Sequence, residues 1–149
     1  MVQYPLKFSV SAEGVSGIDS TWNARVPGSS PGEVRDLTVA IPPEFQGPGG
    51  GYSPEDFYAL ALLNCFMATF RVIASKSQLS YQSIRLNGEL VVDRDEKGAP
   101  WMKHFTLSAT LSGAADPERA KRLLEKTSQS CLILNSVKTG KTFEFEALP

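Results

Sequence analysis

Two side chains in this sequence combine nucleophilicity with redox chemistry, and they are the only cysteines among its 149 residues: Cys65 and Cys131. Composition leaves two readings open for them, a working redox pair or two small buried hydrophobes. A reactive Cys65 needs help. It lies about ten residues inside a predicted helix, and the favourable field of a helix N-terminus fades beyond the first turn, so another positive group must hold its thiolate. An arginine suits that task, and a carboxylate can fix the arginine through a bidentate pair. Other chemistries are poorly supplied. His104 is the only histidine and precedes a predicted strand, which leaves little support for a Ser-His-Asp triad or a Cys-His pair. Two cysteines sixty-six positions apart and one histidine match no short-spaced zinc pattern. Gly49-Gly50-Gly51 is followed by no Gly-Lys-Ser/Thr and belongs to no Gly-x-Gly-x-x-Gly, so it reads as a flexible loop and not as a phosphate cradle.

The element that must position Cys65 begins at Ser53-Pro54-Glu55-Asp56. Ser53 can accept hydrogen bonds from free N–H groups, Pro54 fits the first helical position, and the two acids suit the positive end of the dipole. From Phe57 to Phe70 no residue is charged and no polar stripe appears at helical spacing. A helix apolar all round lies in a core or an interface. The uncharged run is shorter than the roughly 20 residues of a membrane span and is closed by Arg71 and Lys76. A buried central helix is therefore predicted, with no membrane role.

The remaining elements follow from periodicity. Leu6 to Ala12, Thr21 to Val26 and Val34 to Ile41 alternate as strands, with a break at Pro27 to Gly32 and a stop at Pro42-Pro43. Gln46 to Gly51 is a glycine-rich approach suited to passing close to other backbone. After the helix, Ser83 to Asp93 and Phe105 to Leu111 form a hairpin across the charged connection Arg94 to Pro100. Asp116-Pro117-Glu118 opens an amphipathic second helix that ends near Gln129 to Asn135, a segment that contains Cys131, and Thr142 to Ala147 is a last strand. The order βββαββαβ is an α+β arrangement in one domain, 1–149. Fifteen basic against sixteen acidic side chains give no electrostatic footprint for nucleic acid. Met1 to Glu13 lacks the continuous apolar region of a secretory signal, so a cytoplasmic location with reduced thiols is expected.

Gly51-Tyr52-Ser53-Pro54-Glu55-Asp56-Phe57, then Cys65-Phe66, then Cys131 with Asn135 four positions on, resembles the OsmC/Ohr family of osmotically inducible and organic-hydroperoxide-resistance proteins. The resemblance spans essentially the whole chain. It implies that Cys65 is the peroxidatic cysteine and Cys131 the resolving one, with Glu55 as the site carboxylate. The family arginine, which follows a turn on the second strand, falls on Arg25, with Arg35 as the fallback. Two departures stand out: Leu132 where the family often has Pro, and Asn23-Ala24 in place of glycines before the arginine.

The activity implied is reduction of an alkyl or fatty-acid hydroperoxide to the alcohol through a Cys65 sulfenic acid and a Cys65–Cys131 disulfide. An external dithiol, a lipoyl-protein or a thioredoxin-like one, would recycle the enzyme, and no metal, haem or flavin is required. Glu55 and Cys65 are ten residues apart, roughly 15 Å along one helix, so one arginine does not readily reach both. The carboxylate is then expected from a second chain, in an intertwined homodimer that buries the central helix, as the resemblance also implies. Two other readings stay open: a non-enzymatic module binding an apolar ligand, and a thiol redox sensor.

Overall fold

The computed structural model describes residues 3–27 and 32–149. Along the chain lie two compact units, Met1–Phe57 and Tyr58–Pro149. The first carries a three-stranded antiparallel sheet, β1 (Ser11–Glu13), β2 (Trp22–Pro27) and β3 (Val34–Val39), in that spatial order. Arg25 stands opposite Ser11 on one side and Asp36 on the other. The first strand is shorter than its alternation predicts. Phe8 and Val10 lie outside it and are 89% and 77% exposed. Continuing the register would set residue 9 opposite Pro27, which has no N–H to give to a ladder. Most of the break predicted at Pro27 to Gly32 lies outside the described residues.

The glycine-rich approach does pass close to backbone. The Tyr52 amide donates to the Thr38 carbonyl (2.9 Å), and the Ala40 amide donates to the Tyr52 carbonyl (3.0 Å). This lays Tyr52 as a parallel bridge beside Val39. A Cβ at Gly51 would stand 2.8 Å from the Thr38 carbonyl oxygen, so only glycine fits there. Ser53 then starts α1 (Pro54–Lys76) with a reciprocal cap: the Ser53 hydroxyl accepts from the Asp56 amide at 3.0 Å, and the Asp56 carboxylate accepts from the Ser53 amide at 2.9 Å.

The second unit packs α1 from Tyr58 onward and α2 (Pro117–Ser130) with a sheet of β4 (Ser83–Arg94), β5 (Pro100–Ser112) and β6 (Gly140–Ala147). β4 and β5 are antiparallel, whereas β5 and β6 are parallel, because α2 carries the chain back between them. The predicted hairpin connection narrows to Asp95–Ala99. There the Asp95 carboxylate accepts from the Lys97 and Ala99 amides (2.8 and 2.9 Å), and β5 gains the residues from Pro100 onward.

Leu62, Phe66, Phe70 and Ala74, every fourth residue of α1, are fully buried with Phe105, Leu107, Ala109 and Leu111 of β5 and Ala120 and Leu124 of α2. Phe66 also stacks on Phe143 and Phe145, with ring centroids 6.3 and 5.6 Å away. The helix runs on past Phe70 to 23 residues, long and apolar enough by length and composition to cross a membrane; its buried stripe makes it the core helix of this unit. Within the chain the burial is one-sided, since Leu60 and Val72 are 42% and 53% exposed. The α+β class and the order βββαββαβ agree with the sequence expectation.

Candidate active site

Cys65 lies at the middle of α1, between buried Leu62 and Phe66. The buried stripe recurs every four residues, and Cys65 sits just beside it, half-buried and not enclosed. Cys131 is the residue at which α2 ends; its backbone (φ −72, ψ 116) turns the chain out of the helix. Its side chain is fully buried. Both thiols are free, and the structure brings them together: Cys131 belongs to the buried core against which Cys65 packs, and the Cys65 and Thr69 side chains and the Leu134 amide are the groups that act on its thiol. Burial first, and the Cys65 neighbour second, push the Cys131 thiol up to about 11. Cys65 is held differently. Its sulfur accepts a hydrogen bond from the Ile133 amide at 3.4 Å.

The segment after Cys131 is pinned by its own polar groups. The Asn135 amide donates to the Cys131 carbonyl and the Ser136 amide to the Ile133 carbonyl, each at 3.0 Å. The Asn135 side-chain NH2 donates to the Gln129 carbonyl (3.0 Å), and the Ser136 hydroxyl to the Leu132 carbonyl (2.8 Å). Leu132, the departure from proline, points outward and is 75% exposed.

The carboxylate candidate and both arginine candidates belong to the first unit. Arg25, on β2, donates through Nε to the Asp36 carboxylate at 2.8 Å on an exposed surface. Arg35, on β3, lies 3.5 Å from the Glu33 carboxylate. Glu55 is the second residue of α1, and its Oε2 atom is buried with no hydrogen-bond partner among the described residues. A buried carboxylate oxygen without a donor is costly, and it is the one such side-chain atom among those residues.

His104 is occupied elsewhere, its Nε2 being 2.7 Å from the Thr142 hydroxyl across the β5–β6 pair. Among the described residues no three His, Cys, Asp or Glu side chains gather into a set that could hold a metal ion. Sequence reasoning missed Thr69 and the Ile133 amide. Thr69 carries a usable signal, being four residues after Cys65 and hence on the same helix face. Ile133 carries none, because its contribution is a main-chain group.

Two free thiols are thus brought together where the second helix ends against the core helix of an α+β unit. The chain belongs to the OsmC-like protein family, which its residues 47–146 match. An OsmC-like protein of unknown function from Vibrio cholerae is similar in structure, with a TM-score of 0.79 at 19% identity over 95% of this chain and 99% of that one. An organic hydroperoxide resistance protein OsmC from Legionella pneumophila has a TM-score of 0.72 at 19% identity over 98% of both chains. In sequence, the uncharacterized protein YmaD of Bacillus subtilis is 22% identical over 114 residues, 74% of this chain and 76% of that protein.

Proposed function

We propose that this protein is a cytoplasmic cysteine peroxidase that reduces organic hydroperoxides, alkyl or fatty-acid, to alcohols. The observation that carries the reading is the pairing of a half-exposed Cys65 with a buried Cys131 inside one unit. The Cys65 thiolate attacks the outer oxygen of the hydroperoxide; the O–O bond breaks, the alkoxide leaves and takes a proton as the alcohol, and Cys65 becomes a sulfenic acid. Cys131, as thiolate, attacks that sulfur and expels hydroxide, which leaves as water, and the Cys65–Cys131 disulfide forms. An external dithiol, lipoyl or thioredoxin-like, is oxidised as the disulfide returns to two thiols.

Access supports this division of roles: a substrate oxygen can approach a half-exposed sulfur, and a fully buried one suits an intramolecular attack. Arg25 is the proposed guanidinium for the thiolate and Glu55 the carboxylate that holds it. The unpartnered Glu55 oxygen is consistent with a carboxylate awaiting a donor. A homodimer is part of the proposal, supported by Leu60 and Val72, apolar side chains exposed on α1 away from its buried stripe.

The test is intact mass with peptide mapping after one equivalent of cumene hydroperoxide, run beside hydrogen peroxide. Loss of two hydrogens mapped to Cys65 and Cys131, faster with the organic peroxide, is the expected result. Two thiols that stay reduced would remove the peroxidase and leave an OsmC-like fold that binds without reacting.

A further inference from the structure

We infer that the Ile133 backbone amide is a thiolate-holding group for Cys65, released for that task by the Asn135 side chain, so that the turn bearing the second thiol also activates the first. The inference deepens the peroxidase reading and rests on Cys65 being its reacting thiol.

The geometry is local and lies wholly in the second unit. Cys65 is too far inside α1 to gain from the dipole of its N-terminus, and the amides around it are committed to carbonyls four residues back. The donor that reaches its sulfur comes from another element, the Ile133 N–H at 3.4 Å. A hydrogen bond to the charged form of an acid favours that form, so this amide favours thiolate over thiol.

The Ile133 amide is available for a specific reason. Had α2 continued, it would have bonded to the Gln129 carbonyl, four residues back. Cys131 leaves the helix with an extended ψ of 116, and the Gln129 carbonyl is taken instead by the Asn135 side-chain NH2 at 3.0 Å. Asn135 thereby satisfies a helix-end acceptor that would otherwise compete for the amide. Its own backbone amide closes the turn on the Cys131 carbonyl, also at 3.0 Å. Asn135 is a positioning residue: it touches neither sulfur and acts through Ile133. In the same turn the Leu134 amide lowers the Cys131 thiol slightly against the larger effect of burial.

The experiment replaces the Ile133 amide with an ester by incorporating the corresponding α-hydroxy acid, which deletes the N–H and keeps the side chain. Iodoacetamide alkylation of Cys65 is followed by peptide mapping from about pH 5 to pH 10 in the reduced, otherwise natural chain. Deleting a hydrogen bond to a charged group disfavours the thiolate, so that alkylation of Cys65 near neutral pH slows roughly tenfold. Asn135→Leu moves the profile in the same direction by a smaller amount, whereas an ester at Leu132 leaves it in place.

An unchanged profile in the Ile133 ester overturns the inference. A second reading leaves the turn after Cys131 unaltered. The Ile133 amide resonance is expected to shift with Cys65 ionisation and to lose that response in Cys65→Ala, and a resonance indifferent to Cys65 overturns the inference equally. Neither readout uses peroxide. A shifted profile in a protein inert to peroxide therefore sinks the peroxidase reading alone, and an unshifted profile in an active peroxidase sinks this inference alone.

Discussion

The proposed Cys65–Cys131 disulfide can close only through the Cys131 thiolate, and the surroundings of Cys131 oppose that charge. Burial pushes its thiol up to about 11, with the neighbouring Cys65 as the next cause. Near pH 7, four units below, only about one molecule in ten thousand carries the thiolate, and each unit of pH multiplies that fraction by about ten. Oxidation of Cys65 to the sulfenic acid removes the part of the shift due to a neighbouring thiol and leaves burial, the larger part. The closure step is therefore expected to accelerate by close to an order of magnitude per unit between about pH 6 and pH 9, while attack on peroxide by Cys65 follows a different profile. Quenched-flow samples taken after one equivalent of cumene hydroperoxide, with dimedone to capture the sulfenic acid, separate the two steps by intact mass. Dimedone adduct should dominate at the acid end and disulfide at the alkaline end. A closure rate that stays flat across this range would refute the reasoning, because it would mean that Cys131 attacks from an environment other than the buried one.

Two further outcomes rest on the same packing. A thiol raised above its unfolded value stabilises the fold while protonated, so the reduced protein should hold its full stability below about pH 9 and lose part of it as pH rises toward about 11; Cys131→Ala should flatten that decline in denaturant titrations under reductant. Gly88→Ala should cost about 1–3 kcal/mol in urea unfolding, since the added Cβ would stand 2.6 Å from Cζ of Phe105, a ring itself 1% exposed; an unchanged midpoint would mean that this ring has room to move.

How far the sequence reveals this arrangement depends on which physical signal carries each part. The start of α1 was legible because Ser53, Pro54 and Asp56 each do something only a helix start rewards, and the observed cap uses the Ser53 and Asp56 groups reciprocally. The approach of Tyr52 to β3 was legible for a related reason, since Gly51 is where a side chain cannot fit. The first strand was legible in period and not in extent. Phe8 and Val10 alternate as a strand should, but pairing needs a donor on the neighbouring strand, and Pro27 offers none where the register would set it opposite residue 9.

The thiols divide along the same line. Their residue type was evident and their mutual contact was not, because sixty-six positions of chain separate them and only the packing of α2 on the core closes that gap. What reaches the Cys65 sulfur within its unit is a main-chain N–H, a group every residue but proline carries, so no side chain at position 133 could have announced it. The nearest trace in the sequence is Asn135, four residues beyond Cys131, whose side-chain NH2 takes the carbonyl that the Ile133 amide gives up. A leucine of similar size there would leave the Gln129 carbonyl unserved and draw the amide back to it. The spacing of Cys131 and Asn135 thus encodes a hydrogen-bond exchange, and it is through that exchange that the turn can serve both sulfurs.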